Sequence, residues 1–192
     1  MKNPFTHFGQ WMKAARACKA IPDATAMNVA TLGTDGYPDS RMVLLKDFDS
    51  QGFVFYTNLN SVKGRALKKT PKAALTFHWA SLERQVRIQG DTELVSDVEA
   101  DAYWVTRPRL SQLGAWASKQ SDVLPTRAIL IKDVAKLALR YGTGPVPRPP
   151  YWTGIRVIPR RIEFWQGRAN RLHDRFLYTR TGSQWKVVRL YP

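Results

Sequence analysis

Ala26-Met27-Asn28-Val29-Ala30-Thr31-Leu32-Gly33-Thr34-Asp35-Gly36 is an alternating run that breaks into a turn bounded by glycines. A period of two puts successive side chains on opposite faces of a strand, and the glycines accept the positive φ of a hairpin turn. The run therefore predicts a strand over 26–32 and the opening hairpin of an antiparallel sheet, with 40–45 as the returning strand. Working outward, strand patterns recur at 52–57, after a turn over 47–51, and at 73–79 and 84–95. Three more, at 154–166, 175–180 and 185–190, finish the chain.

Helical patterns interrupt these strands. Residues 5–20 carry Phe8, Trp11 and Met12 at helical spacing on one face. Residues 61–69 form a short helix, capped by Asn60 or Ser61 and ended near Pro71. Ser96-Asp97-Val98-Glu99 has the form of a capping box and opens a helix to about 106; helices over 110–118 and 132–141 follow. The stretch 142–150 holds four prolines and two glycines and is a stiff loop. Short antiparallel strands with helices between them predict a mainly β protein with peripheral α-helices, a small β-barrel. One domain over 1–192 is expected, with an N-terminal helix within 1–22 and inserted helices within 96–141.

Composition limits the chemistry. The 192 residues are 44% hydrophobic, enough to bury a core without staples. The single cysteine, Cys18, excludes an internal disulfide and a cysteine-rich metal site, so no metal is expected. No apolar run approaches the eighteen residues of a membrane span. Met1-Lys2-Asn3-Pro4 lacks the apolar core of a signal peptide, so a cytoplasmic address is expected, with no membrane partner. A net charge of +15 would suit nucleic acid. The cations, however, are interleaved with apolar residues, as in Arg84-Gln85-Val86-Arg87-Ile88, and no helix-turn-helix, zinc-finger or RNA-recognition signature accompanies them. Such an excess also attracts small phosphorylated ligands. Near the C-terminus, Ile162-Glu163-Phe164-Trp165-Gln166-Gly167, Arg168, Asn170 and Arg171-Leu172-His173-Asp174-Arg175 gather aromatic, amide, imidazole and guanidinium groups that suit a flat ring and a phosphate. An amphipathic strand followed by a solvated basic turn is the other reading of that run.

Several ordered motifs match one family. Arg41-Met42-Val43-Leu44-Leu45-Lys46, Phe53-Val54-Phe55-Tyr56-Thr57-Asn58, Arg84-Gln85-Val86-Arg87, Arg107-Pro108-Arg109, Gln112-Leu113-Gly114-Ala115-Trp116-Ala117-Ser118, Gln120-Ser121 and the run from Glu163 to Arg175 resemble pyridoxine/pyridoxamine 5′-phosphate oxidases. These are flavin enzymes of the FMN-binding split-barrel fold, and the resemblance runs from about Ala26 to Pro192. It implies FMN contacts at Arg41, Met42, Val43, Leu44, Leu45, Lys46, Tyr56, Thr57, Lys63, Gln85, Gln120, Ser121, Trp165 and Arg175. For the substrate it implies Lys46, Tyr103, Arg107 and Ser111 around the 5′-phosphate, with Arg171 and His173 flanking the pyridine ring as the catalytic pair. The implied reaction is oxidation of pyridoxamine 5′-phosphate or pyridoxine 5′-phosphate to pyridoxal 5′-phosphate, with O2 as the final acceptor. A homodimer with FMN at its interface is implied too.

Two departures stand out. The position of Val62 is usually Arg, a phosphate contact that valine does not supply, so Arg41 and Lys63 are left to carry that role. Relatives also carry a basic, tyrosine-containing segment before the first helix that folds over the site; here the helix is expected at about residue 5, and weaker closure over substrate is expected with it. His7 and His78 match no motif and are expected to be structural. Alternatives remain: a flavin barrel acting on another ring compound, a non-catalytic flavin- or pyridoxal-phosphate-binding protein, and a nucleic-acid-binding barrel.

Overall fold

The computed structural model describes residues 3–192. Asn3 begins helix α1 (Pro4–Ala17) by accepting hydrogen bonds from the N–H groups of Phe5 (2.8 Å) and Thr6 (3.3 Å). Pro4 takes the first helical position, where no N–H is needed. The strands are β1 (Ala26–Leu32), β2 (Pro38–Leu44), β3 (Asp47–Asp49), β4 (Gly52–Asn58), β5 (Lys72–Trp79), β6 (Arg84–Leu94), β7 (Trp152–Gln166), β8 (Asp174–Thr181) and β9 (Gln184–Leu190). Helix α2 (Val62–Lys69) lies between β4 and β5, and α3 (Asp97–Val105), α4 (Arg109–Ala117) and α5 (Arg127–Tyr141) lie between β6 and β7.

The strands run in the order β2-β1-β5-β6-β7-β4-β3, with β8 on β7 and β9 on β8, and the pairings are antiparallel. The two ends of this path, β2 and β3, are consecutive in the chain. Only Leu45 and Lys46 separate them: the Leu45 N–H bonds to Thr25 O beside β1 (2.9 Å), and the Lys46 N–H bonds to Val54 O in β4 (2.8 Å). The sheet therefore curls until its edges meet at this two-residue seam, with Leu45 pointing into the core.

Strand β7 serves three neighbours. It pairs with β6 along most of its length, with β4 over 152–157 and with β8 over 161–166. The division falls at a bulge where Gly90 faces Pro159. Proline offers the ladder no N–H, and a Cβ on Gly90 would stand 2.1 Å from Ile158 O, so only glycine lets the strands cross this closely.

The barrel core consists of the inward faces of these strands, with Met27, Val29, Phe53, Phe55, Leu75, Phe77, Val86, Ile88, Ile162 and Phe164 at no more than 1% exposure. Each such side chain contributes about 1.5–3 kcal/mol on burial. Helix α1 covers this core through Phe8, whose ring meets Phe48, Phe53 and Phe77 edge-on at 4.8–5.1 Å. A second cluster around Trp104, Leu113, Val146 and Trp152 joins α3, α4 and α5 to the start of β7.

The structure bears out the expected barrel with peripheral helices and moves several boundaries. Residues 47–51 are not all turn: β3 pairs with β4, and the Asp49 carboxylate accepts from the N–H groups of Gln51 (2.8 Å) and Gly52 (3.1 Å) to make the hairpin tight. Helix α5 begins five residues before the expected 132, because Ile129-Leu130-Ile131 is apolar on every face and hides the helical period. Helix α1 stops at Ala17 rather than 20, where Cys18 turns extended. Ser61, not Asn60, caps α2, accepting from Gly64 N–H at 3.2 Å. Ser96 caps α3 as expected, accepting from Glu99 N–H. Among the described residues, no helix is long and apolar enough to cross a membrane, and no group of three or more His, Cys, Asp or Glu could hold a metal.

His7 is buried on α1, stacked on Phe164 at 3.9 Å, and its Nδ1 has no partner among the described residues. Burial foremost, with the positive charge of Arg84 adding, lowers its pKa from the ordinary 6.5 to about 4. The unfolded chain then binds a proton that the folded chain refuses between those values, so stability falls as pH drops from about 6.5 to 4. Urea unfolding of the wild type and His7→Phe should give a stability difference that is flat above about pH 7 and shifts toward the variant down to pH 4. A constant difference would show that His7 does not titrate this way.

Candidate active site

The residues implied by resemblance fall into two groups on different parts of the fold. The first lines a cleft of about 650 Å³ between the barrel seam and helices α3 and α4. Met42, Val43 and Leu44 from β2, Lys46 from the seam, Tyr56 and Thr57 from β4, Lys63 from α2, Tyr103, Arg107 and Ser111 from the α3–α4 region, and Gln120 all face it. Leu45 does not: it lies at the seam, past the end of β2, and its side chain is buried in the core.

At one end of the cleft lies a polar cluster. Lys63 Nζ donates to Thr57 Oγ1 (3.3 Å) and to Gln120 Oε1 (3.2 Å), and Ser121 Oγ accepts from the N–H of Val62 (3.3 Å). Ser121 holds φ at +77°, a left-handed conformation that L side chains seldom adopt, which orients Gln120 and its hydroxyl toward α2. Burial first, and then Arg41, lower the Lys63 pKa. Arg41 itself donates to Thr31 Oγ1 (2.8 Å) and pairs with Asp39. Two cations beside the N-terminus of a helix make a site for an anion, and an anion there would relieve their repulsion.

The other end is aromatic and basic. Tyr56 lies nearly parallel to Tyr103 (4.0 Å, 17°) and to Trp152 (5.0 Å, 11°), and those two rings are themselves 6.1 Å apart. A Cβ at Gly154, paired with Tyr56 across β4–β7, would lie 2.9 Å from Tyr56 Cε1, so glycine makes room for the ring. Burial, with the negative ends of Glu99, Tyr103 and Asp47 behind it, pushes the Tyr56 hydroxyl up to about 12 and keeps it protonated. The Arg107 guanidinium lies 4.5 Å from the centre of Trp152 and 5.2 Å from that of Trp104, and bonds Ser111 O (3.2 Å). Helix α3 ends at Val105, with Thr106 as its cap, and α4 restarts at Arg109 beyond Pro108, so Tyr103, Arg107 and Ser111 do not share one continuous helix face; they still reach the same cleft. Trp152 was not among the expected site residues. It stands at the start of a strand behind a proline pair, and only its aromatic character signals a role.

Two arginines, Arg156 buried and Arg148 half-buried, moor this helical region. Arg156 of β7 bonds Asp49 (3.0 Å) and both Glu99 oxygens (3.0 and 3.1 Å), while Arg148 ties the proline-rich loop to Asp97, Asp101 and Trp152 O.

The second group lies on the outward face of β6, β7 and β8. Gln85, Trp165 and Arg175 are directly opposite one another and form one cross-strand row. Past the end of β7, Asn170 and Arg171 both hold positive φ (+56° and +60°), which turns the chain sharply and leaves Arg171 exposed. His173 lies 4.6 Å from Trp165 and accepts the N–H of Arg168 at Nδ1 (3.2 Å). Neutral His173 therefore carries its proton on Nε2. None of these residues lines the 650 Å³ cleft, so one chain does not bring the two groups together.

The family model described as "Pyridoxamine 5'-phosphate oxidase" matches residues 13–141, and "Pyridoxine 5'-phosphate oxidase C-terminal dimerisation region" matches 152–192. Proteins named pyridoxine/pyridoxamine 5′-phosphate oxidase are 54% identical in Caulobacter vibrioides, covering 100% of this chain and 86% of that one, and 55% identical in Azorhizobium caulinodans, covering 98% and 90%. Among solved structures, PhzG from Burkholderia lata 383, in complex with tetrahydrophenazine-1-carboxylic acid, superposes with a TM-score of 0.92 at 32% identity over 99% of this chain and 93% of that one. A pyridoxamine 5′-phosphate oxidase-related, FMN-binding protein from Nostoc punctiforme has a TM-score of 0.77 at 19% identity, over 96% of each chain, a likeness of fold.

The Lys63 end of the cleft should bind inorganic phosphate on its own. At about ten times its dissociation constant, phosphate should raise the melting temperature by about 3–5 °C. Lys63→Met should abolish that rise; an equal rise in the variant would place the anion elsewhere.

Proposed function

This chain belongs to the pyridoxamine 5′-phosphate oxidase family, and we propose that it oxidises pyridoxamine 5′-phosphate and pyridoxine 5′-phosphate to pyridoxal 5′-phosphate with FMN as its cofactor. The observation that carries this reading is the convergence of two anion-binding ends on one cleft, Lys63 with Thr57 and Gln120 at one and Lys46, Arg107, Tyr103 and Ser111 at the other. A phosphorylated cofactor and a phosphorylated substrate lying together need two such ends. The donor set also fits FMN. An anion site adjoins a wall of Met42, Val43 and Leu44 that can lie along a ring system, and a cleft of about 650 Å³ is ample for a bound nucleotide.

Arg41, Thr57, Lys63, Gln120 and Ser121 would hold the FMN phosphate. FMN, when bound, accepts the hydride equivalent that leaves the substrate's C4′ carbon and passes the electron pair to O2, releasing H2O2. Lys46 and Arg107, with the hydroxyls of Tyr103 and Ser111, hold the substrate's phosphate dianion and fix C4′ in place; Trp152 keeps the Arg107 guanidinium flat and oriented. Water then hydrolyses the imine left by the amine substrate, whereas the alcohol yields the aldehyde directly.

The remaining residues come, in this reading, from a second copy of the chain. Trp165, Arg171, His173 and Arg175 all lie within the segment that matches the dimerisation region. In a homodimer that face would close the partner's cleft. Gln85 and Arg175 would then meet the flavin's pyrimidine edge, Arg171 would cover the pyridine ring, and the Nε2 proton of His173 would be donated to it.

A second reading, a flavin barrel acting on another ring compound, is favoured by the likeness to PhzG. Two cations and two hydroxyls at the Arg107 end suit a phosphate dianion better than a single carboxylate, which favours the vitamin B6 substrates.

The deciding experiment is the visible spectrum of FMN-reconstituted protein under anaerobic conditions. Pyridoxamine 5′-phosphate should bleach the flavin band, and air should restore it with pyridoxal 5′-phosphate formed. A bound flavin that stays oxidised with both substrates would overturn the assignment in favour of the second reading. Arg171→Ala should lower turnover by about 100-fold while FMN content changes less than twofold; equal loss of both would remove Arg171 from the substrate side.

A further inference from the structure

Glu163 is a carboxylate buried to 8% exposure on the outward face of β7. It stands between two guanidinium groups from the neighbouring strands. Arg87, directly opposite on β6, reaches Oε2 at 3.4 Å, and Arg175, diagonal on β8, donates from Nε to Oε1 at 2.9 Å. Arg175 is also held at Nη1 by Tyr191 O (2.9 Å). Two of its three nitrogens are thus committed to protein acceptors, and Nη2 has no partner among the described residues. Arg175 is one position across from Trp165 in the row that begins at Gln85.

We propose that Glu163 is a positioning residue that fixes Arg175 with Nη2 free for the ligand and sets how much of the guanidinium charge that ligand feels. The inference rests on the proposed flavin-binding reading, and it concerns how that site is tuned. A guanidinium fixed at Nε and Nη1 is a rigid planar fork, so its remaining N–H pair is aimed rather than averaged over rotamers. A carboxylate 2.9 Å away offsets part of the positive charge. Without it, a nearby flavin would meet a stronger positive field, and its reduced form, which carries more negative charge, would gain most. Arg87 does not share this role. It is exposed and solvent-screened, and its contact with Glu163 is the longer one.

The test is the reduction potential of FMN bound to the reconstituted full-length protein, with kcat and KM for pyridoxamine 5′-phosphate measured alongside. Glu163→Gln should shift the flavin's reduction equilibrium about tenfold toward the reduced form, about 30 mV for a two-electron couple. It should lower kcat at least fivefold with KM within twofold. Glu163→Asp, which keeps the charge and tolerates the site, should recover at least half of the potential shift. If Glu163→Gln does not fold, Glu163→Asp carries the comparison through a fall in kcat at constant KM. Arg87→Gln, which breaks the other half of the cluster, should move the potential less than half as far. Unchanged potential and kcat in both Glu163 variants, or an equal shift in Arg87→Gln, would overturn the inference. The potential needs only bound flavin. A wild type that binds FMN but is not reduced by the substrate would therefore sink the oxidase reading alone, whereas a wild type that binds no FMN would sink both.

Discussion

Closure of the barrel at Leu45–Lys46 is the constraint on which the rest of the structure depends. The two edges of the sheet belong to consecutive strands, so the chain must cross the seam in two residues, and both of their N–H groups are used to hold it. Alternation then leaves no freedom. Leu45 must enter the core and Lys46 must leave it, on the side where β2, β4 and the inserted helices meet. The cleft exists because a curled sheet leaves a step at its seam, and the cation at that step is placed by the closure itself. A functional lysine on a seam is held by backbone bonds, and so more firmly than one on a loop.

The helices that complete the cleft are held by different means. Beside the apolar cluster around Trp104 and Trp152, they are tied to the barrel by ion pairs, from buried Arg156 to Asp49 and Glu99 and from half-buried Arg148 to Asp97, Asp101 and a strand carbonyl. Such ion pairs add little net stability over an apolar equivalent, but they are directional. Their value here is register: α3 presents Tyr103 against Tyr56 only if its first turn is docked at Glu99.

Much of the fold was legible in the sequence, because β1, β5 and the first half of β6 alternate, β4 is a short apolar run, and their ends carry turn residues or caps. What stayed hidden has local causes. Ile129 to Ile131 shows no period, so the start of α5 was missed, and a three-residue β3 is too short to alternate. For the site, motif order brought the cleft residues to notice, yet it gave Leu45 the same weight as Val43. Only the fold separates them: Leu45 sits past the end of β2 and is buried in the core, whereas Val43 reaches the cleft. Trp152 went unnoticed because its partners, Tyr56 and Arg107, are joined to it by folding rather than by spacing. The separation of Gln85, Trp165 and Arg175 from the cleft was not legible either, since a linear motif says nothing about which copy of a chain it serves.

That separation follows from β7. Trp152 at its start belongs to the cleft and Trp165, thirteen residues on, to the outward row, up to roughly 40 Å of strand apart. In the proposed dimer each catalytic unit therefore draws its two halves from two separate copies of the chain. Two inactive alleles, one damaged at the Lys46 end and the other at the Arg171 end, would complement when expressed together, because half of the mixed dimers' sites escape both lesions. Two alleles damaged in the same half would not. A single strand that reaches across the molecule thus makes the unit of inheritance smaller than the unit of function.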